Sequence, residues 1–202
     1  MSEAASQGRG AAARARLLEA ALYAFATRGF HGTGTRDIAQ GAGMSPAAVY
    51  VHHRSKEDLL FALSEAAHQD VQVVVIAADD PGATPAVRLR AVVREYTAWH
   101  ARRHTHARVA QYEMEALSAD HRAEIVRIRR AIDDRVRGII DAGVADGSFA
   151  VDSTRLATVA VLSLGIDVAR WYRDDGTWSP DEIGEHYSQL ALGLVRCTRD
   201  LT

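Results

Sequence analysis

The sequence predicts an all-α protein of nine helices. Three observations lead there. Apolar residues recur at helical spacing in one segment after another. Only four prolines and fifteen glycines interrupt 202 residues, while alanine and leucine are abundant, a mix that favours helices over strands. Serine, threonine and Ser-Pro pairs stand where helices should start, and glycines where they should stop.

The elements follow in order. Leu17, Leu18, Ala21, Leu22 and Phe25 stripe a helix over 14–28, which Gly29 stops; the alanine-rich first dozen residues are expected to fray. Thr35 can cap a second helix, RDIAQGA, which Gly43 ends. Ser45-Pro46 starts a third over about 46–52: a side-chain cap, then proline at the first helical position, where its missing N–H costs nothing. Ser55 and Asp58 form a capping box for a long fourth helix over 56–78. Further helices are expected near 85–103, 105–117, 119–146, 154–173 and 180–198. Asp79-Asp80-Pro81-Gly82 and RDDGTWSP (173–180) are loops, a break falls around Gly147, and Ser179, Pro180 and Glu182 form a second capping box.

Composition bounds the function. Apolar residues make up 48%, enough for a sizeable core, and the length suits two closely packed units, placed at 1–60 and 61–202. One cysteine, Cys197, rules out a disulfide framework within the chain and suggests a reducing compartment; it reads as a packed thiol. The N-terminal MSEAASQGRGAAARAR has no apolar h-region, and the longest apolar run, Val73 to Ala78, is far short of the roughly 20 residues a membrane span needs. A cytoplasmic protein is expected. The net charge of −2 argues against a uniformly basic nucleic-acid binder. The first 60 residues, with seven Lys/Arg against five Asp/Glu, still permit a local DNA-binding surface. GTGTRD (32–37) lacks the spacing of a phosphate loop, and GxSxG and HExxH are absent, so no enzyme and no cofactor are expected.

Two short helices joined by a few residues including a glycine are the helix-turn-helix pattern. Ile38, Ala39, Ala42 and Val49 fit its buried positions, leaving Pro46, Ala47, Tyr50 and Val51 outside. Small exposed residues let such a second helix lie deep in a major groove. By spacing alone the pair is equally an ordinary hairpin in a helical bundle.

Gly29-Phe30, Thr33, Thr35, Asp37-Ile38-Ala39, Ala42-Gly43-Met44-Ser45, Tyr50, His52 and Lys56-Glu57-Asp58-Leu59 resemble the DNA-binding domain of the TetR family of transcriptional regulators. The resemblance covers about 45 residues. It implies a nine-helix architecture with an N-terminal three-helix DNA-binding domain and a helical domain for ligand and dimerisation. It further implies phosphate contacts from Thr35, Tyr50, His52 and Lys56, joined by Arg36 and Arg54, while Pro46, Ala47 and Tyr50 approach the bases and Ser45 belongs to the same DNA-binding set. One position departs. His53 stands where the family usually has an aromatic ring; it fills that space as a neutral imidazole, or else confers pH sensitivity.

The last two helices carry apolar faces: Leu156, Val159, Leu162 and Ile166 on one, Ile183, Tyr187, Leu190 and Leu194 on the other. The second steps by 4, 3 and 4, a near-heptad stripe that suits a helical partner. The resemblance implies a four-helix homodimer interface there, presenting two reading helices to a pseudo-palindromic operator. WYRDDGTWSPDEIGEHY (171–187) is also similar to a branch of the family that regulates fatty-acid and steroid catabolism and responds to acyl-CoA thioesters. The expectation is a repressor released by a small amphipathic ligand such as an acyl-CoA, with no membrane partner. Apolar and polar groups for that site are Phe61, His68, Tyr96, Trp99 and Tyr112, then Ile128, Ile132, Asp167 and Trp171, with Arg103 among several arginines able to pair with phosphates. Two rivals stay open. His100 and His104, with His106, Glu113 or Glu115, have spacing that can hold a transition metal, or they are a solvated face. A helical interaction adaptor without DNA activity is the other.

Overall fold

The computed structural model describes residues 2–197, with side chains from residue 10 onward. Among them are nine α-helices and no strand: α1 (Ser2–Arg28), α2 (Thr35–Gly41), α3 (Pro46–His52), α4 (Lys56–Ala78), α5 (Pro85–Arg102), α6 (His104–Tyr112), α7 (Ala119–Ala145), α8 (Thr154–Trp171) and α9 (Pro180–Leu194), with a 3-10 turn at Met114–Ala116. The all-α expectation holds, and the departures are local. Helix reaches back to Ser2 where fraying was expected. Gly34, not Thr35, is the N-cap of α2: the Asp37 carboxylate accepts the Gly34 N–H at 3.0 Å, which puts Thr35 inside the first turn. The segment expected as one helix over 105–117 breaks after Tyr112. α9 stops at Leu194, where Arg196 takes a left-handed backbone (φ 50°) and the Cys197 N–H returns to the Leu192 carbonyl at 3.0 Å. Ser45 and Ser179 cap α3 and α9 as read, and Ser55 Oγ accepts from the Asp58 N–H at 3.0 Å.

The chain folds as two compact units. The first takes residues up to Ala67 together with Arg108–Glu124, and the second holds His68–Ala107 and the residues from Ile125 onward. A boundary at residue 60 therefore misplaces two pieces. α4 runs unbroken past that point, and the segment before α7 folds back on the first unit, where Glu57 accepts the Ser118 N–H at 2.8 Å.

In the first unit Leu17, Ala21 and Phe25 of α1, Ile38 of α2, Val49 of α3 and Leu59 and Leu60 of α4 are all buried. By length and composition α4 is the one helix among the described residues apolar enough to cross a membrane, yet Leu59, Leu60, Leu63, Ala67, Val71 and Val75 spend that character on packing.

In the second unit α5 packs along α9 and against α8. Glycines allow the close approach: a Cβ on Gly184 would lie 2.5 Å from the Arg94 carbonyl oxygen, and one on Gly165 would lie 2.8 Å from the Tyr96 ring. Asp79, read as loop, is a buried anchor. Its carboxylate accepts from Arg88 Nε and from Arg135 Nη1, both at 2.7 Å, joining the end of α4 to α5 and α7. The Arg88 hydrogen bond, with help from Arg135, outweighs burial and holds its pKa below the ordinary aspartate value.

Two buried histidines, His53 and His100, and the half-buried His106 set an acid limit. His100 is enclosed, its Nδ1 2.8 Å from the Tyr96 carbonyl, and burial lowers its pKa to about 4. Burial also lowers His53 and His106. A folded pKa below the unfolded one means the unfolded chain binds more protons, so this stability is complete above about pH 6.5 and is lost as pH falls. Urea unfolding should show a decline between pH 6.5 and 4, of which His100 accounts for about 3 kcal/mol. A His100→Gln variant should flatten that decline; an unchanged slope would contradict the assignment.

Candidate nucleic-acid interface

The candidate interface is built on a short turn. Gly43 follows α2 with a φ of 65°, a backbone that an L side chain rarely adopts, and its N–H bonds the Gln40 carbonyl at 3.0 Å. The Met44 N–H bonds the Ala39 carbonyl at 2.8 Å, and Ser45 Oγ accepts from the Ala48 N–H at 3.3 Å. α3 therefore starts at a defined angle, and Val49 seats it on the core.

What remains outside is one face of α3. Pro46 and Ala47 are exposed, Tyr50 is 56% exposed and Val51 80% exposed. Ser45, Arg36 and Arg54 are exposed around it, while Thr35 and His52 are half-buried. Such a face offers methyl and methylene groups, one phenol hydroxyl and flanking guanidinium groups. These can contact thymine methyls and phosphates without long side chains intervening.

Lys56 is placed otherwise than expected. Its Nζ donates to the Phe30 carbonyl at 2.7 Å and the Thr33 carbonyl at 2.8 Å, and lies 4.0 Å from the Phe30 ring centroid. An ammonium held by two carbonyls over an aromatic face clamps the loop after α1 to the start of α4, and is not a free phosphate contact. Thr33 secures the same loop from inside, its hydroxyl donating to Gly29 and Ala24 carbonyls. Lys56→Ala should therefore cost about 2 kcal/mol of stability in urea unfolding and leave the salt dependence of DNA binding unchanged. A loss of one unit of that slope with stability intact would restore the phosphate role. His53 is buried with Nε2 unpartnered, and burial, with Arg14 next, keeps its pKa low, so the ring sits neutral.

The residues expected to line a ligand site are divided. Phe61 belongs to the first unit, where it stacks on His121 with 3.8 Å between centroids, and Tyr112 is exposed there. Tyr96, Trp99, Ile128 and Ile132 are buried in the second unit. Trp171 packs on a cluster of Ala101, Val168, Tyr172 and Ile183. Asp167 is bound by Arg170 at 2.7 Å, Arg103 is exposed and His68 is half-buried. The rival metal pair, His100 and His104, joins no group of three or more donors among the described residues; their Nδ1 atoms face the Tyr96 and Ala101 carbonyls at 2.8 and 3.1 Å. Among the described residues the histidine and carboxylates that do converge are Glu57, Asp58 and His121, and the separation of 64 residues between Glu57 and His121 leaves no local signal.

The apolar stripe of the last two helices also divides. Leu156, Val159, Leu190 and Leu194 are exposed, and Ile166 and Tyr187 half-buried, but Leu162 and Ile183 are buried in the core of their own unit. Ile183 stands in the first turn of α9, where Ala101, Val168 and Tyr172 enclose it, while Leu190, two turns further on nearly the same face, is left in water.

A helix seated by Ile38 and Ala39, a glycine turn and a second helix with an exposed face of small residues form a helix-turn-helix, the frame on which DNA-binding regulators present a reading helix. Residues 17–63 match the family model for bacterial regulatory proteins of the tetR family, and residues 82–195 match that for the tetracyclin repressor-like C-terminal domain. The chain belongs to the TetR family. It is 30% identical, over 89% of its own length and 89% of the relative's, to the HTH-type transcriptional repressor KstR2 of Rhodococcus jostii (strain RHA1). Among solved structures it is similar to a tetR-family regulatory protein from Rhodococcus RHA1, with 41% identity, a TM-score of 0.88 and coverage of 93% of this chain and 98% of that one. The ketosteroid transcriptional regulator KstR2 of Mycobacterium tuberculosis gives 26% identity, a TM-score of 0.83 and coverage of 93% and 95%.

Proposed function

We propose that this DNA-binding regulator works as a cytoplasmic homodimeric repressor, released from a pseudo-palindromic operator by an amphipathic acyl-CoA or steroid-derived ligand. The observation that carries the DNA-binding part is the exposed α3 face of Pro46, Ala47, Tyr50 and Val51. Tyr50 and Arg36 and Arg54 beside it reach phosphates, with Thr35 and His52 in support, while Ser45, Pro46 and Ala47 approach base edges. Dimerisation is supported by the row of exposed apolar residues on α8 and α9, more than a lone unit has reason to leave in water. The ligand class is supported by two things: the likeness to repressors of the KstR2 type, one of them described as a ketosteroid regulator, and the aromatic and apolar side chains of α5 and α7 in the second unit.

Release needs only differential affinity. A ligand that prefers dimers whose reading helices are wrongly spaced lowers operator affinity by its preference ratio, tenfold for about 1.4 kcal/mol. Titrating long-chain acyl-CoA and steroid acyl-CoA thioesters into a labelled protein–operator complex tests this by fluorescence anisotropy. Release by a member of either class at micromolar concentration supports the reading. Release by none of them contradicts the ligand assignment while leaving the DNA-binding role intact.

A further inference from the structure

The geometry points to a divalent transition-metal site formed by Glu57, Asp58 and His121. All three belong to the first unit, the carboxylates on the first turn of α4 and the imidazole on the first turn of α7. Their ligand atoms lie within 4.8 Å of one another. His121 Nδ1 is 2.8 Å from one Glu57 carboxylate oxygen and 2.9 Å from the other, so the nitrogen faces both. Two ligands held about 2.1 Å from a zinc-like ion at angles of 90–110° stand about 3.0–3.4 Å apart. The two His121–Glu57 separations are short of that by only a few tenths of an ångström, and Asp58, within the wider 4.8 Å, would swing in to complete the set. The cation would therefore take the place of the shared proton with small side-chain rotations.

Two neighbours hold the donors in place. The His121 ring lies flat on Phe61, 4° from parallel, and the Ser118 N–H donates to Glu57 Oε1 at 2.8 Å, the kind of outer contact that orients a metal ligand. The adjacent side chains of Glu57 and Asp58 are both half-buried, and a divalent charge between them relieves their repulsion. One imidazole and two carboxylates suit Zn²⁺, Co²⁺, Ni²⁺ or Mn²⁺, with water completing the shell. Bound there, the ion cross-links the flank of the reading head to the start of α7 within the first unit.

Equilibrium dialysis of the full chain against Zn²⁺ and Co²⁺ tests the site without DNA, so its failure is separate from any failure of operator binding. One equivalent per chain is expected, with at least a tenfold loss of affinity in both Glu57→Gln and His121→Asn. His104→Ala should bind as the unaltered chain does. Circular dichroism melts verify folding of each variant, and Asp58→Asn replaces either one that fails to fold, with the same expected loss. Absence of uptake, uptake unaffected by these substitutions, or uptake lost with His104→Ala would overturn the assignment.

Discussion

Leu190→Glu should halve the particle mass in light scattering and lower operator affinity by about a hundredfold or more. Leu190 is 57% exposed and Leu156 70% exposed, so a charge at 190 meets water in an isolated chain and leaves the fold intact. In a packed apolar interface the same carboxylate would be buried without a partner, which is strongly unfavourable. The two reading helices would then meet their half-sites separately, and the advantage of joined binding would disappear. Unchanged circular dichroism with halved mass is the expected pair of results. An unchanged mass at micromolar concentration would remove α9 from the interface.

Gly184→Val should be the most destabilising of the single substitutions. Its Cβ would meet backbone, the Arg94 carbonyl oxygen at 2.5 Å, and the Ala98 Cβ at 3.1 Å, so neither neighbour can rotate away. Separating α9 from α5 enough to fit valine should cost about 3 kcal/mol and lower the melting temperature by roughly 6–12 °C. Gly193→Val provides the contrast, since a Cβ there meets nothing within 4 Å in its own chain and the residue is exposed beside Leu194. It should leave the melt almost unchanged and disturb dimerisation instead. Equal melts for the two variants would contradict the packing described for α5 and α9.

The legible part of the sequence is the part written in neighbouring residues. Ser45-Pro46, Ser179-Pro180 and the glycine turn at Gly43 act within a few residues of themselves, so helix starts and the helix-turn-helix were readable. The buried set of Ile38, Ala39, Ala42 and Val49 follows from periodicity in the same way. Contacts between distant segments were hidden. Lys56 reads as a surface charge until its two carbonyl acceptors, 26 and 23 residues back, are brought to it by the fold. Asp79 reads as a turn residue until Arg88 and Arg135 close on it, and His121 as an ordinary helix-start residue until Glu57 faces it. On α9, Ile183 reads as one of an outward stripe until Ala101, Val168 and Tyr172 close on it.

The most direct test of the account is capture of sheared genomic DNA by the protein, followed by sequencing and by binding measurements on the recovered site. The account predicts a small set of fragments sharing inverted half-sites, with affinity that falls steeply with salt and is lost in Val51→Glu, whose charge would face the groove from the most exposed apolar position on α3. Retention of fragments without a shared site, or undiminished retention by folded Val51→Glu, would contradict it.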